Sequence, residues 1–255
     1  MFRKLLQLLI LGLCWYGAAA SGSEKLRVAT EGAYPPFNFI NKQGQLAGFD
    51  IDIAQELCRR LEKECEIIAV PWKELLPGLI AGKYDVVIAS IAKTPEREQQ
   101  VEFTDSYYRT RNVFIGRPQN GISNITPETA RGKVLATQDG TVQSEYLRQH
   151  YQGVAILKLT DTSIKAFAML TSGEADVVFA DNLTAFEFLR SDAGQGFDII
   201  GEPIGAINPA SESAYLQVRK GDVRLRDSIN AALRSLWLDG THHKINARYF
   251  PFDIY

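Results

Sequence analysis

Little in this chain of 255 residues points to metal or redox chemistry. Cysteine and histidine occur three times each, and no histidine stands near Cys58 or Cys65 in sequence, so a metal centre finds few ligands. Charge of one sign is equally scarce. There are 28 basic and 30 acidic residues, a formal net charge of −2, and the signs mix along the whole length with no basic stripe of the kind that binds nucleic acid. After the first twenty residues no apolar run is long enough to span a bilayer. The stretch TQDGT at 137–141 is too short for a nucleotide phosphate loop and lacks its lysine.

What is present is an ordinary globular composition, 45% hydrophobic and 23% charged, with enough apolar residues to build a core in one large domain or two modest ones. The opening MFRKLLQLLILGLCWYGAAA has a basic start at Arg3 and Lys4, an apolar run from Leu5 to Trp15, and the small residues Ala18, Ala19 and Ala20. That is the layout of a secretory signal peptide over residues 1–20, cleaved near Ala20. A membrane anchor is the alternative, but the run is short and broken by Gln7. Leu13 ahead of Cys14 is larger than a lipoprotein site usually accepts. Loss of Arg3 and Lys4 leaves 26 basic against 30 acidic residues, near −4, in a chain expected to be exported and soluble. Export leaves Cys58 and Cys65 as an even pair in an oxidising compartment. A disulfide between them pins the end of a helix to the next strand; two free buried thiols are the other option.

The segments alternate. KLRVAT reads as a strand, GFDIDIAQELCRRLEK as a helix, CEIIAV as a strand, WKELLPGLIAG as a helix stopped at Gly82, and YDVVIAS as a strand buried on both faces. The second half repeats the scheme with GKVLAT, TVQSEYLRQHY, VAILKL, SIKAFAMLTSG and ADVVFAD. This predicts an α/β fold with right-handed crossovers. The phrase LIAGKYDVVIAS at 79–90 returns as LTSGEADVVFAD at 170–181, identical at six positions in register. The two copies read as corresponding helix–glycine–strand units of two similar lobes. Ligands of open α/β sheets bind beyond the carboxyl ends of the strands, so Ser90 and Asp181 are expected at equivalent mouths.

The residues around those mouths carry complementary chemistry. Thr94-Pro95 starts a helix, with threonine as the cap and proline at the first position. Arg97 then falls in the first turn, where a cation opposes the helix dipole. Such a guanidinium either receives an anion, ideally a carboxylate held by two hydrogen bonds, or pairs on the surface with Glu96 or Glu102. Asp181 supplies the opposite charge, either to a ligand ammonium or as the cap of the helix NLTAFEFLR. Tyr34 and Trp72 follow strand ends and are placed to flank a ligand side chain, their faces attractive to a cation. Glu31 lies beside the same mouth, whereas Phe37 and Phe49 read as core. In TQDGTVQSEY a glycine loop opens a helix, with Thr141 and Gln143 as its polar contributors.

In this order the motifs YPPF (34–37), GFDIDIAQELC (48–58), TPER (94–97), EFTDSYY (102–108), GT (140–141), ADVVFAD (175–181) and DGTHHKI…YFPFD make the chain similar to the periplasmic amino-acid-binding proteins of ABC importers. The branch that takes up arginine, lysine, ornithine and histidine resembles it most. The resemblance covers Leu26 to Tyr255 and implies a Venus-flytrap fold, two α/β lobes joined by a two-strand hinge. Lobe 1 is expected at 26–113 plus 214–255 and lobe 2 at 114–213. It further implies that Arg97 clamps the α-carboxylate and that Asp181, helped by Ser90, takes the α-ammonium. By the same resemblance Tyr34 and Trp72 stack on the ligand side chain, Glu31 is an acidic contact, and the cysteine pair matches a disulfide seen in relatives. Ala92 stands where relatives often carry a hydroxyl for the carboxylate, Val142 replaces another hydroxyl residue, Ala89 a frequent serine, and Glu31 an aspartate of some relatives.

The implied function is capture of a free polar or basic L-amino acid, arginine first, by a periplasmic monomer that delivers it to an inner-membrane ABC permease. No cofactor, metal, nucleic acid or catalysis is implied. One rival is a dehydratase-like enzyme on the same fold, which requires a general acid or base in the cleft. Glu31 is its one candidate, because His150, His242 and His243 are poorly placed. The other rival is an amino-acid sensor, membrane-bound or docking on a chemoreceptor; no membrane-spanning or signalling segment is expected after Tyr255.

Overall fold

The computed structural model describes residues 25–118, 123–205 and 210–255, and the expected leader at 1–20 lies outside them. The first half of the chain runs β1 (Leu26–Thr30), β2 (Ala33–Tyr34), β3 (Asn38–Ile40), β4 (Leu46–Ala47), α1 (Phe49–Arg60), β5 (Cys65–Ala69), α2 (Trp72–Ile80), β6 (Val86–Ala92), α3 (Pro95–Glu98) and β7 (Val101–Arg109). The rest runs β8 (Asn112–Gly116), β9 (Val134–Gln138), α4 (Val142–Tyr151), β10 (Ile156–Thr160), α5 (Ser163–Ser172), β11 (Val177–Asp181), α6 (Asn182–Leu189), β12 (Asp198–Ile204), β13 (Ser213–Arg219), α7 (Val223–Leu238) and α8 (Thr241–Asn246).

Two five-stranded sheets organise these elements, in the orders β5-β1-β6-β13-β7 and β10-β9-β11-β8-β12. In each, three parallel strands are followed by an antiparallel one. The sheets are thus copies of one plan, and each carries one lobe. The chain passes between them at Thr110–Arg111 and again between β12 and β13.

The repeated phrase has one structural meaning in both lobes. Gly82 and Gly173 sit at φ +72° and +82°, the left-handed stop that lets a helix turn into the central strand. The aspartate that follows ties that strand to its neighbour. Asp85 Oδ2 accepts from the Arg27 amide at 3.0 Å, and Asp176 Oδ2 from the Val134 amide at 2.7 Å.

Local chemistry explains the elements that frame the cleft. Helix α1 buries Ile53, Ala54 and Leu57, with Asp50 and Asp52 in its first turn and Arg59 and Arg60 in its last, each sign matched to the helix dipole. Cys58 on its last turn is bonded to Cys65 at the start of β5, the bridge expected from the sequence. Helix α2 tolerates Pro77, and Gly78 beside it leaves room for the Tyr84 hydroxyl, 2.2 Å from where a Cβ would stand. That hydroxyl donates to the Leu75 carbonyl at 2.6 Å. Phe37 and Phe49 are fully buried as expected. Phe37 stacks on Tyr108 at 4.6 Å and meets Phe49 edge-on, so the floor behind β2 is a rigid aromatic layer.

Candidate functional site: a cleft between the lobes

All ten residues singled out in the sequence, Glu31, Tyr34, Trp72, Ala89, Ser90, Ala92, Arg97, Thr141, Gln143 and Asp181, line one cavity. Its walls come from both sheets, and the lobes bond to each other across it.

Arg97 projects from the first turn of α3. Thr94 caps that turn, its Oγ1 accepting from the Arg97 amide at 3.3 Å. The guanidinium donates to the Ala92 carbonyl at 2.8 Å and, across the cleft, to the Gly140 carbonyl at 3.0 Å. It also faces the Trp72 ring at 5.8 Å. Desolvation lowers it to about 10, so it stays charged at neutral pH. Surface pairing does not occur: Glu102 binds Lys220 at 3.3 Å and Arg226 at 3.2 Å instead. Among the described residues Arg97 pairs with no carboxylate, so a desolvated cation keeps donor capacity for an anion.

Asp181 ends β11 and is 2% exposed. Its Oδ1 caps α6, accepting from the Leu183 and Thr184 amides at 3.0 and 2.9 Å. Thr110 Oγ1 donates to the same oxygen at 3.3 Å. Oδ2 accepts from the Thr184 hydroxyl at 2.5 Å and from the Tyr34 hydroxyl of the facing lobe. The cap therefore exists, yet it occupies one oxygen and leaves the other turned to the cleft. Tyr34 meets the cavity by its hydroxyl, while its ring packs on Phe37 at 5.7 Å.

Ser90 departs from its expected place. It lies inside β6, which continues to Ala92, and not at the strand's end. Pairing with β13 slips here, from Ile91↔Tyr215 to Val87↔Gln217, and Ser90 takes φ +55°, uncommon for a residue with a side chain. A buried polar group fixes this bulge. Asp50, fully buried, accepts from Ser90 Oγ at 3.0 Å, Asn38 Nδ2 at 2.7 Å and the Tyr107 hydroxyl at 2.7 Å. Desolvation raises its carboxyl to about 6, against the lowering by those bonds. The sequence signal for Asp50 is an acid between Phe49 and Ile51 on the apolar face of a helix.

On the other wall Thr141 caps α4. Its hydroxyl accepts from the Ser144 amide at 3.1 Å and donates to the Gln138 carbonyl at 2.7 Å. Gln143 Nε2 donates to Asn112 Oδ1 at 2.8 Å. The Gly140 N–H donates to Asp139 Oδ1 at 3.0 Å, and the Gly140 carbonyl accepts from Trp72 Nε1 across the cleft at 3.3 Å. Lys73 and Asp139 close the rim with an ion pair of 2.9 Å. Sequence reasoning missed Thr110, Gln138 and Ser163, which also line the cavity; they stand on separate elements and share no motif. Glu31 accepts from Gln138 of the opposite lobe at 2.6 Å, and burial pushes its carboxyl up to about 7. The histidines lie elsewhere: His150 stacks on Tyr146 at 4.1 Å, His242 packs against Phe49 at 5.7 Å, and His243 is exposed.

Known proteins share this architecture. The "histidine-binding periplasmic protein" of Escherichia coli K12 is 31% identical over 259 residues, 99% of each chain. The "L-arginine-binding protein" of Pseudomonas aeruginosa is 32% identical, covering 92% of this chain and 91% of its own length. An ancestral arginine-binding protein, solved bound to arginine and bound to glutamine, superposes with a TM-score of 0.80 at 33% and 34% identity, over 89% of this chain and 98% of its own. The sequence profile of one family matches residues 26–252. The chain belongs to the bacterial extracellular solute-binding proteins, family 3.

Proposed function

We propose that this protein is a periplasmic receptor that closes its lobes on a free L-amino acid with a basic or polar side chain and delivers it, chemically unchanged, to an inner-membrane ABC permease. Arginine is the first choice; lysine, ornithine and histidine follow. The observation that carries this reading is the pair of opposite charges on facing walls of one cavity, the guanidinium of Arg97 and the cleft-facing oxygen of Asp181. They are not paired with each other, and a zwitterion satisfies both at once. The ligand carboxylate takes the donors that Arg97 has left. The ammonium takes Asp181 Oδ2 in place of the Tyr34 hydroxyl. Trp72 and Tyr34 border the side chain, with Glu31 as its acidic contact and Ala89, Ser90, Ala92, Thr141 and Gln143 completing the walls. Lobe 1 carries β1–β7, β13, α7 and α8, and lobe 2 carries β8–β12 with α4–α6. The boundaries expected at 113/114 and 213/214 thus shift to Thr110–Arg111 and to the segment before Ser213, and the Thr110–Arg111 crossing bends. Only the closed form brings both lobes to the ligand, so binding favours closure.

A thermal-shift screen of the twenty amino acids, ornithine and citrulline tests this. A ligand at a thousand times its Kd stabilises by about 4 kcal/mol, so the true ligand stands out; a flat response across the screen defeats the reading. Incubation with amino acids and prephenate-like acids, followed by product analysis, tests the enzymatic rival. Turnover there, with Glu31 as the acid or base, defeats delivery without chemistry.

A further inference from the structure

Gln138, the last residue of β9, is 5% exposed and lines the cavity. Its Nε2 donates to Glu31 Oε1 at 2.6 Å and to the Asp161 carbonyl at 3.2 Å. Both amide protons are thus engaged, and what Gln138 has left for the cavity is its carbonyl oxygen. Glu31, 7% exposed, accepts among the described residues only that one hydrogen bond, and its other oxygen pairs with no cation. The charged and titratable groups around it give no compensation. Asp161 adds repulsion and is itself bound by Lys165 at 2.6 Å. Tyr34 is neutral, its phenol held far above the usual range by burial and the Asp181 charge. Arg97 is engaged by two carbonyls.

A carboxylate so placed has two ways to become comfortable. It takes a cation into the cleft, or it takes a proton. The pair spans the lobes, so this choice is made on closure around the ligand. The geometry points to selectivity set by protonation: Glu31, held across the cleft by Gln138, receives a cationic side chain when ionised and a neutral amide side chain when protonated. Acidification then moves preference from arginine toward glutamine. In the ionised state the two facing acceptor oxygens suit the N–H groups of a guanidinium. In the protonated state the carboxyl O–H donates to an amide carbonyl while Gln138 Oε1 accepts from the amide N–H. Gln138 is thereby a specificity-determining residue. This inference rests on the amino-acid-receptor reading above.

The test is titration calorimetry of arginine and glutamine between about pH 5.5 and 7.5, in two buffers of different ionisation enthalpy. Neither side chain titrates there, and the two ligands share their α-groups, so the ratio of their affinities isolates the subsite. With Glu31 titrating at about 7, the arginine-to-glutamine ratio rises about 100-fold across that range, and arginine releases close to one proton at about pH 6. Glu31→Gln abolishes both the rise and the proton release. Gln138→Leu removes the bond that lowers the Glu31 pKa, and the ratio at any given pH falls as the titration moves to higher pH. A ratio that stays flat in the wild type while both ligands bind overturns the inference and leaves the receptor reading standing. The same rise persisting in Glu31→Gln also overturns it. Absence of binding by either ligand overturns the receptor reading and this inference with it.

Discussion

Arg97→Ala is the sharpest probe of the cleft. The guanidinium spends one N–H on the Ala92 carbonyl and one on the Gly140 carbonyl, leaving a forked face for a carboxylate. A charge-assisted hydrogen bond contributes about 1.5–3 kcal/mol net. Two such bonds to one carboxylate are not independent, so a loss of about 3 kcal/mol is expected, roughly 150-fold in Kd. The variant also loses the Arg97–Gly140 bond that helps hold the lobes together. Because the wild-type cation is desolvated without a counter-charge, removing it relieves a cost. The ligand-free melting temperature of Arg97→Ala should therefore stay level or rise while affinity collapses. Arg97→Lys keeps the charge but not the fork, and falls between the two. Calorimetry and ligand-free thermal melts measured together decide the matter. Wild-type affinity in Arg97→Ala refutes the clamp; a loss of affinity accompanied by an equal loss of stability refutes the claim that Arg97 acts on ligand and not on fold.

Asp181 has two duties, and substitutions should separate them. Asp181→Asn and Asp181→Ala both lower affinity at least tenfold, but only the alanine also loses the cap of α6, at about 1 kcal/mol and a few degrees in Tm; equal melts for the two variants would contradict this. Tyr34→Phe removes the donor that the ligand ammonium replaces on Asp181 Oδ2, so affinity should hold or improve, and a tenfold loss would count against that exchange. Glu31 has a folded pKa of about 7, raised above its ordinary value of 4.5. Its contribution to stability is complete below about pH 4 and declines as pH rises toward 7. Ligand-free melts should accordingly fall over that window, less steeply in Glu31→Gln, and identical slopes would refute the burial argument. The Cys58–Cys65 bridge closes a short loop, for which chain entropy gives roughly 2.5 kcal/mol. The unreduced protein should show no reactive thiol, and the double serine variant should melt several degrees lower.

Local and periodic features were legible along the chain. Alternation of 3.6-residue and two-residue patterns fixed an α/β chain, and the repeated helix–glycine–aspartate–strand phrase fixed two lobes of one plan. The residues that follow strand ends carry a cation, a carboxylate and aromatics in positions that the fold rule for open sheets turns toward a cleft. Cys58 and Cys65 were legible because they are close in sequence and on adjoining elements. Contacts between distant segments were set by folding. Tyr34 and Asp181 are 147 residues apart, and Glu31 and Gln138 are 107 apart; no local pattern records which hydroxyl or amide meets which carboxylate. Ser90 sits mid-strand at positive φ because the partner strand β13, more than a hundred residues on, forces a bulge that the buried carboxylate of Asp50 then holds. Backbone preference is written in neighbours along the chain, whereas the protonation and hydrogen bonding of a buried carboxylate depend on desolvation by groups that only folding brings together.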